Sequence, residues 1–168
     1  MYQMRGNRVS PMQEEEIAYR AINFCNAIGL TASKRKRKRY DMFFESLSIY
    51  GVTLDVRTDK EWEALTYDLT IGHCDPASLT ITVPNKIYVN ACLGEEHALA
   101  VIFHELGHLL LGHKAVLHFS VKEPTRIEDA EWQADTFADI VLETIGVRTQ
   151  QMSFDFEPPR VSWRVFYL

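Results

Sequence analysis

Residues 95–112, EEHALAVIFHELGHLLLG, constrain this chain more than any other segment, because as a helix they are apolar on every side. Leu99, Val101, Ile102, Phe103, Leu106, Leu109, Leu110 and Leu111 cover the full circle at about 100° per residue. A helix of that kind lies inside a fold. Set into it are three groups that resist burial, His104, Glu105 and His108. An uncompensated carboxylate in such surroundings costs several kcal/mol, so the cluster needs a counterpart.

The spacing suggests what the counterpart is. His104 and His108 stand four residues apart, which puts both imidazoles on one helix face about 6 Å apart along the axis, where both can converge on one metal ion. Glu105 is rotated about 100° from His104, close enough to reach a water at that ion without being forced to ligate it. This is the H-E-x-x-H arrangement. A tetrahedral catalytic zinc also needs a third protein ligand and one open position. Residues 126–146, RIEDAEWQADTFADIVLETIG, read as a helix with an apolar stripe of Ile127, Ala130, Ala134, Phe137, Ala138, Val141, Leu142 and Ile145. Glu131 falls inside that stripe, and a carboxylate facing a core calls for a cation. Asp135, four residues on along the same edge, is placed to hold the outer nitrogen of a ligating histidine. The expected set is one Zn²⁺ on His104, His108 and Glu131, with Asp135 behind one imidazole.

The remaining chain reads as an α+β fold of one domain, residues 1–168, with N-terminal helices over 13–50, a catalytic core over about 52–146 and a tail over 147–168. Ile17, Ala18, Ala21, Ile22, Cys25 and Ile28 recur at helical spacing behind Glu14, Glu15 and Glu16. A second helix is expected from Tyr40 to Ile49, closed by Gly51, and a short strand from Val52 to Val56. Residues 79–90, LTITVPNKIYVN, read as a hairpin turning at Pro84-Asn85. His73-Cys74-Asp75 reads as a loop with a turn at Pro76.

Charge and cysteine content exclude several classes. The net charge of −5 conceals a basic start, with nine Lys/Arg against three Glu in residues 1–40, six of the positives in the run 34–39. That run lacks interleaved aromatics and reads as a solvated face, so direct nucleic-acid binding is not expected. Apolar runs fall far short of the roughly 20 residues of a membrane span, and residues 1–11 carry no signal-like apolar stretch. Three cysteines without close pairing fit reduced thiols in a cytoplasmic protein. The tail VSWRVFYL is apolar enough to dock on its own core or on a partner.

The two helices together resemble the ImmA/IrrE-type metallopeptidases, a gluzincin-like family of bacteria and their mobile elements. The carrying residues are HELGH at 104–108 with LLLGH at 109–113, then EWQADTFA at 131–138, preceded by KIYVNA from Lys86. After Phe137-Ala138 the chain reads DIVLETIG and departs from the family's pattern. The resemblance implies a zincin-like fold with a small, mostly antiparallel sheet, metal ligands at His104, His108 and Glu131, and Glu105 as catalytic glutamate. It also implies cleavage of a regulatory protein, typically a helix-turn-helix repressor.

On this reading Glu105 takes a proton from water and returns it to the leaving nitrogen. Substrate lies extended along an edge strand formed by Lys86, Ile87, Tyr88, Val89 and Asn90. Tyr88, His97, His118 and His73 are candidate oxyanion donors. His113 at the helix end fits a cation favoured by the helix dipole. The competing reading is a zinc-bound interaction or sensing module that acts on a regulatory partner without catalysis; an unliganded Glu105 beside the ion argues against it.

Overall fold

A computed structural model describes residues 1–32, 39–114 and 122–148. The apolar helix is α5, Glu96–Leu110. Its first turn is capped by the Glu95 side chain, which accepts from the backbone N–H of His97 and Ala98, and every residue from Val101 to His108 is buried. The second ligand-bearing helix, α6, spans Ala130–Thr144, after a single 3-10 turn over Arg126–Glu128. The continuous helix expected from residue 126 is interrupted at Asp129, whose extended backbone (φ −92°, ψ 115°) makes it the N-cap of α6. The Asp129 carboxylate accepts from Glu131 N–H at 3.0 Å, which starts the helix with Glu131 in its first turn.

Around this pair stand α1 (Glu14–Ala27), α2 (Asp41–Ser46) with a 3-10 turn (Leu47–Tyr50), α3 (Asp59–Thr66) and α4 (Asn85–Cys92). Helix α1 packs on α6, with the Phe24 and Phe137 ring centroids 5.8 Å apart. One cluster of buried apolar side chains runs from Met12 to Ile145 and includes residues of α1, α2, α4, α5 and α6. None of the described helices is long and apolar enough to cross a membrane.

The sheet has three strands, β1 (Thr53–Arg57), β2 (His73–Asp75) and β3 (Thr80–Pro84), in the order β1-β3-β2. Strand β1 runs parallel to β3, with Val56 opposite Val83, and β2 runs antiparallel to it, with His73 opposite Thr82. The α+β class is as expected, but the sheet is mixed rather than mostly antiparallel, because α3 carries the chain away after β1 before β2 and β3 return.

Two local readings are corrected. The expected hairpin at 79–90 is half right: β3 forms, but Pro84 is the N-cap of α4 instead of a turn residue. Lys86, Ile87, Tyr88, Val89 and Asn90 are therefore helical and form no edge strand. Helix wins because it buries Ile87 and Ala91, one turn apart, against α5, while Val89 stays 44% exposed. The Asp59 carboxylate also accepts Lys86 N–H at 2.9 Å and supplies the cap that Pro84 lacks. Residues 73–75, read as a loop, form the edge strand β2, with Cys74 buried between two half-buried neighbours. Helix α3 is announced by Thr58 and Glu61, which form a capping box.

The distance between α5 and α6 is set by Gly107. A Cβ there would lie 3.2 Å from Ala134 Cα, 3.3 Å from Ala134 O and 3.3 Å from Phe137 Cβ, so the facing helix would have to give by a few tenths of an ångström. Gly107→Ala gains roughly 1 kcal/mol of helix propensity and loses about 1–3 kcal/mol to overpacking. The expected outcome is net destabilisation in urea unfolding, and a midpoint at or above that of the parent would refute the packing role.

Candidate metal centre

The α5–α6 contact brings His104, His108 and Glu131 together, with one ligand atom from each lying within 4.8 Å of the others. The two Nε2 atoms face each other at 3.1 Å. Glu131 places Oε2 3.3 Å from His104 Nε2 and Oε1 3.6 Å from His108 Nε2. All three residues are no more than 1% exposed. Neither oxygen of Glu131 has a hydrogen-bond donor, which for a buried carboxylate costs several kcal/mol unless a cation sits beside it. Two imidazole nitrogens and a carboxylate converging from two helices form a donor set that suits Zn²⁺ and leaves a coordination position open.

Asp135 stands where expected, accepting from His104 Nδ1 at 2.8 Å, and its other oxygen pairs with Arg5 Nη1 at 2.7 Å. Burial pushes the Asp135 carboxyl up, but the hydrogen bond and charge of His104, with Arg5, outweigh it and hold the carboxyl below its usual range. Burial likewise opposes a charge on His104, yet the hydrogen bond to Asp135, the Glu131 carboxylate 3.3 Å from Nε2 and the charge of Glu105 raise it to about 10. Without a metal, a proton on His104 serves as the cation that this cluster requires. Burial drives His108 well below its ordinary value, helped by the neighbouring His104, His113 and His73.

Glu105 is 2% exposed, with Oε2 unpartnered. Burial raises it to about 7, opposed by His104 and assisted by Glu131. A carboxyl that titrates near neutrality is suited to both accept and release protons. Gly72 confines it: a Cβ at that position would lie 2.8 Å from Glu105 Oε1. Gly6 lies equally close to Glu131, where a Cβ would fall 2.6 Å from Glu131 Cγ. Both glycines are required by close approach, and nothing in their sequence neighbourhoods signals it.

The N-terminal segment covers the centre. Arg8 pairs with Asp129 in an antiparallel bridge, Val9 N–H donates to Glu128 O at 2.8 Å, and Ala130 N–H donates to Asn7 O at 3.2 Å. Asp129 accepts from Tyr2 Oη at 2.8 Å, Arg5 N–H at 2.9 Å and Gly6 N–H at 3.1 Å. Sequence reading missed this strap, since residues 1–11 have no periodic pattern.

Of the oxyanion candidates among the described residues, His73 alone is brought near the centre: it lies half-buried on β2, close enough for its charge to lower His108. Tyr88 packs against Phe44, ring centroids 6.0 Å apart, and His97 is exposed near the start of α5. His118 lies outside the described residues, as do most of the basic run and the aromatic tail. His113 is no exposed cationic cap; it is 2% exposed, and burial lowers it to about 4.

Fold and site define a metallopeptidase-type domain. The model of the Peptidase_M78 family, an IrrE N-terminal-like domain, matches residues 56–144, more than half of the chain, and the protein belongs to that family. No curated protein and no solved structure matches it.

A divalent ion bound by His104 Nε2 would displace a proton from that imidazole. The stability which that proton lends the metal-free protein is full below the unfolded-state value near 6.5 and is lost as pH rises toward about 10. The rise in Tm on adding Zn²⁺ should therefore be larger at pH 8 than at pH 6. Thermal unfolding at both values tests this, and an increment that shrinks with pH would contradict it.

Proposed function

We propose that the protein is a zinc-dependent endopeptidase with His104, His108 and Glu131 as the ligands of one ion and Glu105 as the catalytic acid–base. The observation that carries this is the pair of donor-less Glu131 oxygens facing two apposed imidazole nitrogens, with a second, unliganded carboxylate alongside. When bound, the ion supplies Lewis acidity toward water and the scissile carbonyl. Glu105 accepts the proton of the attacking water and passes it to the leaving amine nitrogen. Asp135 orients His104, and Arg5 holds Asp135 in turn.

The edge strand that suits an extended substrate is β2, which lies beside α5 at the margin of the sheet. His73, at the start of that strand, is the candidate placed to donate to a developing oxyanion. The resemblance seen in sequence supports a regulatory protein as substrate, with a helix-turn-helix repressor as the reading to test, in the cytoplasm. Full burial of the centre also favours a second reading, a zinc-bound partner-recognition module without turnover.

Glu105→Gln separates the two. It should retain its metal, measured by elemental analysis, and lose roughly 10²- to 10⁴-fold in hydrolysis of a peptide library or of the candidate repressor. Unchanged turnover would sink the acid–base assignment, and a parent protein that binds zinc without cleaving anything would favour the module.

Because the centre is buried and the N-terminal strap is bonded across the start of α6, we infer that polypeptide enters when the strap moves, so that the fraction of open molecules scales the apparent kcat/KM. Tyr2→Phe combined with Arg8→Ala removes the Tyr2–Asp129 and Arg8–Glu128 contacts without touching a proposed ligand. Turnover should rise several-fold, about tenfold at most; a fall would show the strap to be part of the working site.

A further inference from the structure

The hydrogen bonds behind His108 form a chain whose proton positions are determined. Gly112, at φ 68°, turns the backbone back under α5, so that His113 N–H donates to His108 O at 3.1 Å. The turn carries the His113 ring to the His108 ring, Nδ1 to Nδ1 at 2.8 Å. The far side of the His113 ring, Nε2, meets Gln133 Oε1 at 2.8 Å. Gln133 is wholly buried, and its Nε2 lies 2.9 Å from Ser10 O and 2.7 Å from Ile127 O.

Two backbone carbonyls can only accept, so the Gln133 amide nitrogen must face them and its oxygen must face His113. A carbonyl oxygen accepts as well, so His113 carries a proton on Nε2. Each further assignment follows from the one before. A second proton on His113 would create a buried cation whose hydrogen-bond partners are an amide and an imidazole, with no carboxylate among them. His113 Nδ1 is therefore an acceptor, and His108 must donate to it from Nδ1.

We propose that His113, held by Gln133, is the positioning residue that fixes His108 with its proton on Nδ1 and its Nε2 lone pair directed toward His104 and Glu131. His104 is served by a carboxylate, Asp135, whereas His108 is served by a neutral imidazole–amide relay anchored to the main chain at Ser10 and Ile127. The assignment rests on reading His104, His108 and Glu131 as a metal centre. Its test is arranged so that the two fail separately.

In the metal-free protein, long-range ¹H–¹⁵N NMR of the imidazoles should show His108 protonated at Nδ1 and unprotonated at Nε2. A proton on Nε2 would overturn the proposal, whatever the protein does with metal. Zinc affinity by chelator competition should fall roughly 10- to 100-fold in His113→Phe, which keeps a ring and cannot accept. His113→Gln, which offers an acceptor and a donor, should recover most of that loss. A His113→Phe protein binding zinc as tightly as the parent would overturn the relay. If His113→Phe does not fold, the tautomer measurement on the parent decides. A parent with the expected tautomer and no zinc affinity would overturn the metal reading and leave the tautomer assignment standing.

Discussion

The structure depends on a charge imbalance at its centre. A carboxylate from α6 is pressed against two imidazoles from α5, all three almost fully buried. Each of these groups alone would be a liability in an apolar helix pair, since a buried ion without a partner costs several kcal/mol. Together they favour a cation among them: a proton on His104 supplies positive charge, and the three ligand atoms are close enough to hold a metal ion. Because the helices must stay close for this to work, residue 107 has little room for a side chain: a Cβ there would press on Ala134 backbone and Phe137 Cβ of α6.

The three site carboxyls differ through their surroundings. Asp135 is held ionised by His104 and Arg5. Glu131 is aimed at the imidazoles by a helix start that Asp129 caps. Glu105 has neither arrangement, and burial leaves it poised near neutrality. Separation of carboxyls by environment in this way is the pattern that perturbed groups show at functional sites.

Covering the centre is the work of chain segments remote in sequence. Gly6 lies on Glu131 and Gly72 on Glu105. Asp129 takes part in both arrangements, since one carboxylate starts α6 and also accepts from Tyr2, Arg5 and Gly6. The start of α6 and the seating of the first nine residues thus share one anchor, Asp129.

The sequence by itself determined α5, α6 and the His104, His108, Glu131 and Asp135 cluster. Helical periodicity is a local property, and an ionisable group inside an apolar stripe is visible without coordinates. It misjudged residues 86–90 because their alternating and helical patterns coincide at Ile87 and Ala91, and packing against α5 decides between them. Strand β2 is three residues long, too short to carry a period. The strap, the glycines at 6 and 72 and the His113–Gln133 relay belong to the tertiary structure alone. Each joins residues distant along the chain through hydrogen bonds or close approach, and no local pattern records which distant backbone will arrive there.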